Sequence, residues 1–225
     1  MAYLGVLGQG VVQYKYPTSV LALRGGGLAL VEKHKLHIFD DRCRPLVEFA
    51  GQYHGLTEGE NGDIFTLEDK KVVWLSKLSG RYCVKKNIQL CVLEEFDEWK
   101  RLSKPRHLLY NMGRLHVSDK GLHKLLLVDL TTGQQTASGY LGEGMGQFKR
   151  PTGMVADRMG NMLMVDEGNN RVLVYSSSGN WLRVGAYGQE GLEQPCGITV
   201  HRDCVMVVFM GKEGRGAVVR YVLEE

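Results

Sequence analysis

The sequence predicts an all-β protein of the β-propeller class, and its turns, its strands and its repeats all support this. The 225 residues include 29 glycines but only 5 prolines. Gly, Asn, Asp and Ser cluster between short apolar stretches of the kind that form strands. The residue that precedes the second strand of each unit recurs about every 44 residues, at Gly27, Gly62, Gly113, Gly160 and Cys204. A repeat of roughly 40–45 residues with four short strands is typical of a propeller blade.

The clearest copy of the repeat covers residues 142–182. It predicts a first strand at GMVA, a second at MLMVD, a third at RVLVY and a fourth that begins at Trp181. Apolar residues alternate or run continuously in each strand, and the turns between them carry residue types that tolerate positive φ. Weaker copies begin at Pro17, Gly55, Pro105 and Pro195, so the sequence predicts five blades.

The two ends of the chain are expected to complete one blade together. The last copy lacks a fourth strand, whereas residues 3–10 (YLGVLGQG) have the pattern of a fourth strand with its loop. We therefore expect the N-terminal strand to close the ring, because closure removes the exposed strand edges of an open array. The resulting prediction is a single propeller domain over residues 1–225.

Composition argues against several classes of protein. Lys and Arg total 28 against 25 Asp and Glu, a formal charge of +3, which disfavours a polybasic nucleic-acid binder but allows a local basic patch. The five cysteines form no CxxC pair, which argues against a disulfide framework or a structural zinc site and favours a reducing, cytoplasmic location. The longest uninterrupted apolar run, Cys204–Met210, has seven residues, where a membrane span needs about 20.

The stretch GQFKRPTGMVADRMGNMLMVDEGNNRVLVY resembles an NHL repeat. The last copy is a fair match through Pro195, Gly197 and Ile198, and the first three copies are weak matches. The residues that carry the resemblance in the clear copy are Gly146, Gln147, Phe148, Pro151, Gly153, Gly160, Asn161, Val165, Asp166, Asn169, Asn170, Arg171 and Val172.

The nearest group with this repeat is the TRIM-NHL family, RING-type E3 ubiquitin ligases that end in an NHL-type propeller. Family propellers usually have six blades, so the resemblance implies that this chain, with five blades expected, is a short and divergent member. The resemblance implies that this domain holds a substrate protein while a RING zinc finger elsewhere in a longer protein recruits the charged E2. It further implies a domain that is no enzyme by itself and needs no cofactor. The chain alone is expected to be monomeric, and the full-length protein to dimerise through a coiled coil.

Candidate binding residues lie on the loops that lead into the first strands and on the turns between second and third strands. In a propeller these segments share the top face, and here they are rich in basic and aromatic residues. Arg171 also has a structural interpretation, as a tie between neighbouring blades, and Asp119 and Asp166 are expected to be turn acids. The candidate partner-binding or RNA-binding residues are Trp99, Lys100, Arg101, Lys104, Arg106, His107, Lys120, Lys124, Phe148, Lys149, Arg150 and Arg171.

Two alternatives to substrate-protein recognition remain open. The same Lys, Arg and aromatic residues could neutralise phosphates and stack bases, and several TRIM-NHL propellers bind RNA on this face. A more remote alternative is a metal-dependent enzyme, because the architecture also resembles the lyase of peptide amidation and the lactonase propellers. The residues at the starts of the first strands that would surround such a metal are Thr18, His54, His107, Thr152 and Cys196.

Overall fold

The computed structural model describes residues 14, 16–32, 34–93, 99–176, 180–187, 193–201, 204–210 and 216–222. Within this part the regular secondary structure is almost entirely β-strand, and it has the arrangement of small antiparallel sheets of a five-bladed β-propeller. The predicted fold class is therefore confirmed. The strand expected to close the ring, residues 3–10, lies outside the described residues. The chain divides into two compact units, Met1–Gln89 and Leu90–Glu225, and the single-domain assignment stays a prediction.

The first unit contains two four-stranded antiparallel sheets. Apolar residues of both sheets form one core in which Val31, Leu36, Ile38 and Ile64 are fully buried. The strands of the first sheet are β1 (Ser19–Ala22), β2 (Leu28–Glu32), β3 (Lys35–Phe39) and β4 (Pro45–Ala50). Those of the second sheet are β5 (Tyr53–Glu58), β6 (Ile64–Glu68), β7 (Lys71–Leu78) and β8 (Arg81–Gln89).

The second unit contains the third, fourth and last sheets, together with two short strand pairs. The pairs are β9 (Cys91–Leu93) with β10 (Trp99–Arg101), and β15 (Tyr140–Leu141) with β16 (Gln147–Phe148). The third sheet consists of β11 (Pro105–Asn111), β12 (Arg114–Asp119), β13 (Lys124–Asp129) and β14 (Gln135–Ser138). The fourth sheet consists of β17 (Pro151–Ala156), β18 (Met162–Asp166), β19 (Arg171–Tyr175) and β20 (Trp181–Tyr187). The last sheet consists of β21 (Pro195–His201), β22 (Cys204–Met210) and β23 (Gly216–Val222).

The strands of the clear repeat form where the sequence predicts them. MLMVD and RVLVY are β18 and β19, and all ten of their residues are buried, because the sheet packs on both faces. Val165 and Val172 of the fourth sheet share an apolar cluster with Val207 and Phe209 of the last sheet. As predicted, the last sheet has three strands among the described residues.

All five cysteines are described and free, in agreement with the expectation that the chain has no disulfide framework. Among the residues that the structure describes, no helix has the length and apolar content that a membrane crossing requires.

Candidate nucleic-acid or protein interface

The loop that leads into the third sheet is fastened by a buried aspartate. Asp119 ends β12 and is 1% exposed. Its Oδ2 accepts a hydrogen bond from the Ser103 backbone N–H at 2.7 Å, and its Oδ1 accepts from those of Lys104, Gly121 and Leu122 at 3.0, 2.8 and 2.9 Å. One carboxylate thus satisfies four backbone donors of the loop and of the β12–β13 turn. This confirms the prediction that Asp119 is a turn acid.

Asp166 has the same place at the end of β18 and is fully buried. Its Oδ1 accepts a hydrogen bond from the Lys149 backbone N–H at 2.6 Å, while its Oδ2 accepts from Asn169 Nδ2 at 2.8 Å and from Arg171 Nε at 2.9 Å. A buried ion pair with this many hydrogen bonds offsets the cost of removing both charges from water. Asp166 is likewise a structural acid, as predicted.

Arg171 belongs to this structural network and is only 7% exposed. Its Nη1 donates to the Glu143 carbonyl at 2.5 Å, and its Nη2 donates to the carbonyls of Gly144 and Gln147 at 3.3 and 3.1 Å. All three nitrogens of the guanidinium therefore have partners within the protein. The inclusion of Arg171 among partner-contacting residues is corrected, and its structural interpretation holds.

Seven cations of the candidate set are described with their side chains. Arg171 pairs with Asp166, and the single carboxylate of Glu167 engages two more. Lys120 Nζ and Arg150 Nη2 each lie 2.6 Å from an oxygen of Glu167, which is 8% exposed. The remaining four have no carboxylate partner among the described residues, and we call them the basic surface: Lys104, Arg106, Lys124 and Lys149.

The basic surface lies at one end of the third and fourth sheets. Lys104 precedes β11 and Lys124 begins β13, and both strand ends meet at Asp119. Lys149 precedes β17 at the corresponding end of the fourth sheet. The two ends are tied together, because Ser118 Oγ donates to the Thr152 carbonyl at 2.7 Å. The prediction that these loops share one face of the second unit is supported.

The predicted aromatic part of the interface is wrong at Phe148. This side chain is 1% exposed and packs in the core with Met154, Met164 and Tyr175. A buried ring cannot stack on a base or on a partner. In the sequence, Phe148 and its basic neighbours look like one surface motif, but β16 turns the phenyl ring inward and leaves Lys149 exposed.

His107 is half-buried. Its Nε2 is buried without a hydrogen-bond partner, and burial lowers its pKa from 6.5 to about 4. The register of β11 shifts directly after its proline, which leaves the exposed Arg106 as the bulge residue. The same shift in the last sheet leaves Cys196 as the bulge residue. Arg106, and not His107, therefore occupies the place in the third sheet that corresponds to Cys196.

The described residues give the metal-enzyme alternative no ligand set. Within them, no group of three or more His, Cys, Asp or Glu side chains is placed to hold a metal ion.

Of the candidate binding residues, Trp99, Lys100 and Arg101 form β10, paired with β9. The side chains of these three lie outside the described part of the chain.

Sequence reasoning missed two contributors to this end of the sheets. Glu167 follows Asp166 directly, and only the approach of Lys120 from the neighbouring sheet reveals that it is a shared counter-ion. The second is an exposed apolar group formed by Tyr140, Leu141 and Met145, which are 60, 60 and 70% exposed. A signal was present, since these large apolar residues lie in a Gly-rich loop that precedes a buried strand.

No catalogued family and no curated protein matches this sequence. Solved structures do match it in fold. Catalytically inactive virginiamycin B lyase from Staphylococcus aureus, solved with quinupristin, is 13% identical, with 92% of this chain and 70% of that chain covered and a TM-score of 0.62. A protein of unknown function from Bacteroides caccae is 12% identical, with 92 and 78% covered and a TM-score of 0.66. A chain of the nidogen/laminin complex is 16% identical, with 92 and 78% covered and a TM-score of 0.59.

At these identities the comparisons establish the β-propeller fold of the chain and no more. The similar structures include a lyase and a propeller from a complex of two proteins. Function must therefore be argued from the site.

Proposed function

We propose that this propeller recognises a substrate protein through the basic surface, as the recognition domain of a TRIM-type E3 ubiquitin ligase. The observation that carries the proposal is the contrast between cations with and without partners. Lys120 and Arg150 neutralise Glu167, whereas Lys104, Arg106, Lys124 and Lys149 have no carboxylate partner among the described residues. Unmatched cations on one face attract acidic partners and accelerate their association.

The loops that carry these cations are held by buried groups that take no part in binding. Asp119 and Asp166 fix the backbones of Lys104 and Lys149. A partner therefore does not have to order the loops, which removes an entropic cost of binding. The proposed role needs no chemistry from this domain, which we propose is not itself an enzyme. The TRIM assignment rests on the NHL-like stretch around Pro151 and Asp166, and the proposed cytoplasmic location rests on the five free cysteines, which suit a reducing compartment.

RNA recognition is the competing function for the same surface. Its phosphates would suit the unmatched cations. Of the rings that the sequence offered for base stacking, Phe148 is buried in the core, and His107 is half-buried with its Nε2 covered. Single-stranded RNA binding relies on several exposed rings. The loss of Phe148 from the surface favours a protein partner, although Tyr140 is exposed at this end of the sheets.

Fluorescence anisotropy with two labelled probes, polyglutamate and single-stranded RNA, tests the proposal. The comparison is between the wild-type chain and a Lys104/Arg106/Lys124/Lys149→Gln variant, at low and at physiological salt. We expect salt-dependent polyglutamate binding that the variant loses. If RNA binds more tightly than polyglutamate, and the variant loses this binding, the basic surface is an RNA-binding site and the protein-recognition proposal is wrong. Binding of neither probe would overturn the proposal.

The ligase assignment needs a separate experiment on the full-length protein. We expect cells that express it to accumulate ubiquitinated proteins that disappear when the four cations of the basic surface are replaced by Gln. If the variant leaves the set of ubiquitinated proteins unchanged, the basic surface does not select the substrates, and this part of the proposal is wrong.

A further inference from the structure

We propose that the loop of residues 139–147, here called the apolar loop, is a preformed docking site for a peptide segment that carries bulky apolar side chains flanked by Asp or Glu. The proposal rests on the proposed function and names the kind of substrate segment that the domain would hold. It is carried by the combination of a rigidly held backbone, three exposed apolar side chains and adjacent unmatched cations.

The backbone of the apolar loop is held by side chains from the fourth sheet. Arg171 donates hydrogen bonds to the carbonyls of Glu143, Gly144 and Gln147, and Asn169 Nδ2 donates to the Gly142 carbonyl at 2.7 Å. Arg171 and Asn169 thus satisfy four backbone carbonyls of one short surface loop. Both side chains are themselves held by hydrogen bonds to the buried Asp166 carboxylate.

The loop also braces itself. Gln147 Oε1 accepts a hydrogen bond from the Gly144 backbone N–H at 2.7 Å, and the Gly142 N–H donates to the Phe148 carbonyl at 3.3 Å. Close packing requires glycine at Gly139, where φ is +90° and an added Cβ would lie 2.1 Å from the Phe148 ring. The buried Phe148 therefore supports the base of the loop, and the conformation exists without a ligand.

Apart from Glu143, the side chains that this backbone presents to solvent are apolar. Tyr140 and Leu141 are each 60% exposed and Met145 is 70% exposed. Single exposed apolar residues are ordinary on a protein surface, but three within one clamped loop concentrate exposed apolar area of the kind that marks an interaction site. Methionine adapts its shape to different apolar partners, and tyrosine is enriched where proteins meet.

The positive charge beside the apolar loop favours a partner with acidic residues next to its apolar side chains. Leu141 pairs with Phe148 in the β15–β16 ladder, so Lys149 follows directly beside the exposed apolar residues. The Arg150 backbone N–H donates to His123 Nδ1 at 3.0 Å, which brings the turn that carries Lys124 to the same place. Glu143 is the only acid in the sequence from 139 to 150. An apolar centre beside cations matches a segment with apolar anchors and acidic flanks.

Selection from a random displayed peptide library on the immobilised wild-type chain tests the proposal. We expect the enriched peptides to share large apolar residues flanked by Asp or Glu, and their synthetic versions to bind about tenfold more weakly to a Leu141→Ser/Met145→Ser variant. A smaller loss, about threefold, is expected for Lys149→Gln, together with a weaker dependence on salt.

The matched control is Met159→Ser. Met159 is 79% exposed in the β17–β18 turn, at the opposite end of the fourth sheet from Asp166, so its replacement should leave binding unchanged. Equal weakening by Met159→Ser would show general stickiness and overturn the proposal. Enriched peptides that are basic or wholly polar, or no enrichment at all, would also overturn it.

Amide hydrogen exchange on the chain without ligand tests the preformed loop independently. The Gly142 and Gly144 N–H groups should exchange well below their free-peptide rates, because both are hydrogen-bonded. Exchange at the free-peptide rate would contradict a preformed site. If polyglutamate binds through the basic surface while the library yields no apolar motif, the docking proposal fails and the proposed function stands. If neither experiment gives binding, both fail.

Discussion

The fourth sheet and the last sheet begin in the same way and differ at one decisive position. In each, a residue with positive φ, Arg150 or Gln194, precedes the proline that opens the inner strand. That proline pairs with Asp166 in the fourth sheet and with Phe209 in the last sheet. The position opposite this proline therefore carries a buried carboxylate in the fourth sheet and a buried aromatic ring in the last sheet.

The difference determines what the adjoining loop can do. Asp166 holds the preceding loop through its backbone, directly at Lys149 and through Asn169 and Arg171. Phe209, 1% exposed, stabilises the core between the sheets instead. Loops fixed by backbone hydrogen bonds need no stabilisation from their own side chains, which are then available for recognition. The third sheet follows the first pattern through Asp119, and the basic surface lies on these two sheets.

Val165→Asp should have the largest effect, because it breaks the core that both sheets share. Val165 is fully buried in the cluster that contains Phe209, and an unpaired buried charge costs several kcal/mol, roughly the stability of a domain. We expect the loss of cooperative thermal unfolding, measured by circular dichroism. Leu182→Asp, on the outer strand of the same sheet and 47% exposed, should still unfold cooperatively. A soluble Val165→Asp protein with an unchanged melting curve would contradict this assignment of the core.

Asp166→Ala should destabilise the protein more than Asp119→Ala, although the two acids hold equivalent places. Removing Asp166 leaves the Arg171 guanidinium buried without its counter-ion, which costs about 3–5 kcal/mol. Removing Asp119 frees four backbone N–H groups, but these belong to exposed or half-buried residues that water can reach, so the total cost should stay at about 1–3 kcal/mol. Urea unfolding at neutral pH measures both. Equal losses would mean that Arg171 finds other partners and that the two loops are held alike.

Histidine protonation should act on the third sheet and not on the fourth, which contains no histidine. Burial lowers the pKa of both His107 and His116 from 6.5 to about 4. The unfolded chain therefore binds more protons between these values. Their contribution to stability is complete above about pH 6.5 and is lost as the pH falls toward 4.

Each histidine should give a slope of up to about 1.4 kcal/mol per pH unit in this window. The free energy of unfolding, measured in urea from pH 7 to pH 4.5, should show that slope, and His116→Gln should reduce it. The exposed His201 provides the control, because His201→Gln should leave the slope unchanged. An unreduced slope in His116→Gln would assign the acid sensitivity to other groups.

Lys149→Gln should have the smallest effect on stability and a clear effect on binding. Its side chain is exposed, while Asp166 contacts only its backbone N–H. We expect the free energy of unfolding to change by less than about 0.5 kcal/mol, with weaker binding of polyglutamate. Unfolding in urea and anisotropy on the same preparation measure the two effects. A large loss of stability would show that the lysine side chain, and not only its backbone, holds the loop.

The repetition of the chain made the strands predictable, whereas the interface was predictable only in part. β18, β19 and β20 begin and end where the sequence indicates, because apolar stretches between Gly- and Asn-rich turns leave little choice of register. Asp119 and Asp166 were recognised as turn acids from their equivalent places in the repeat. The exposed cations were found because loops at one end of a propeller share a face. The burial of Phe148 was missed, since a two-residue strand gives no periodicity from which to infer its direction.

The sequence by itself determined the repeat, the turns and the places of the prolines and aspartates, because these depend on local backbone preferences and on the alternation of apolar residues. Only the tertiary structure decided which charges are free. Glu167 forms ion pairs with Lys120, which is 47 residues away in the sequence, and with Arg150, which is 17 residues away. Arg171 donates hydrogen bonds to a loop 24–28 residues earlier. Such pairs depend on how neighbouring sheets approach each other, and electrostatic attraction acts over the distance between atoms rather than over separation along the chain.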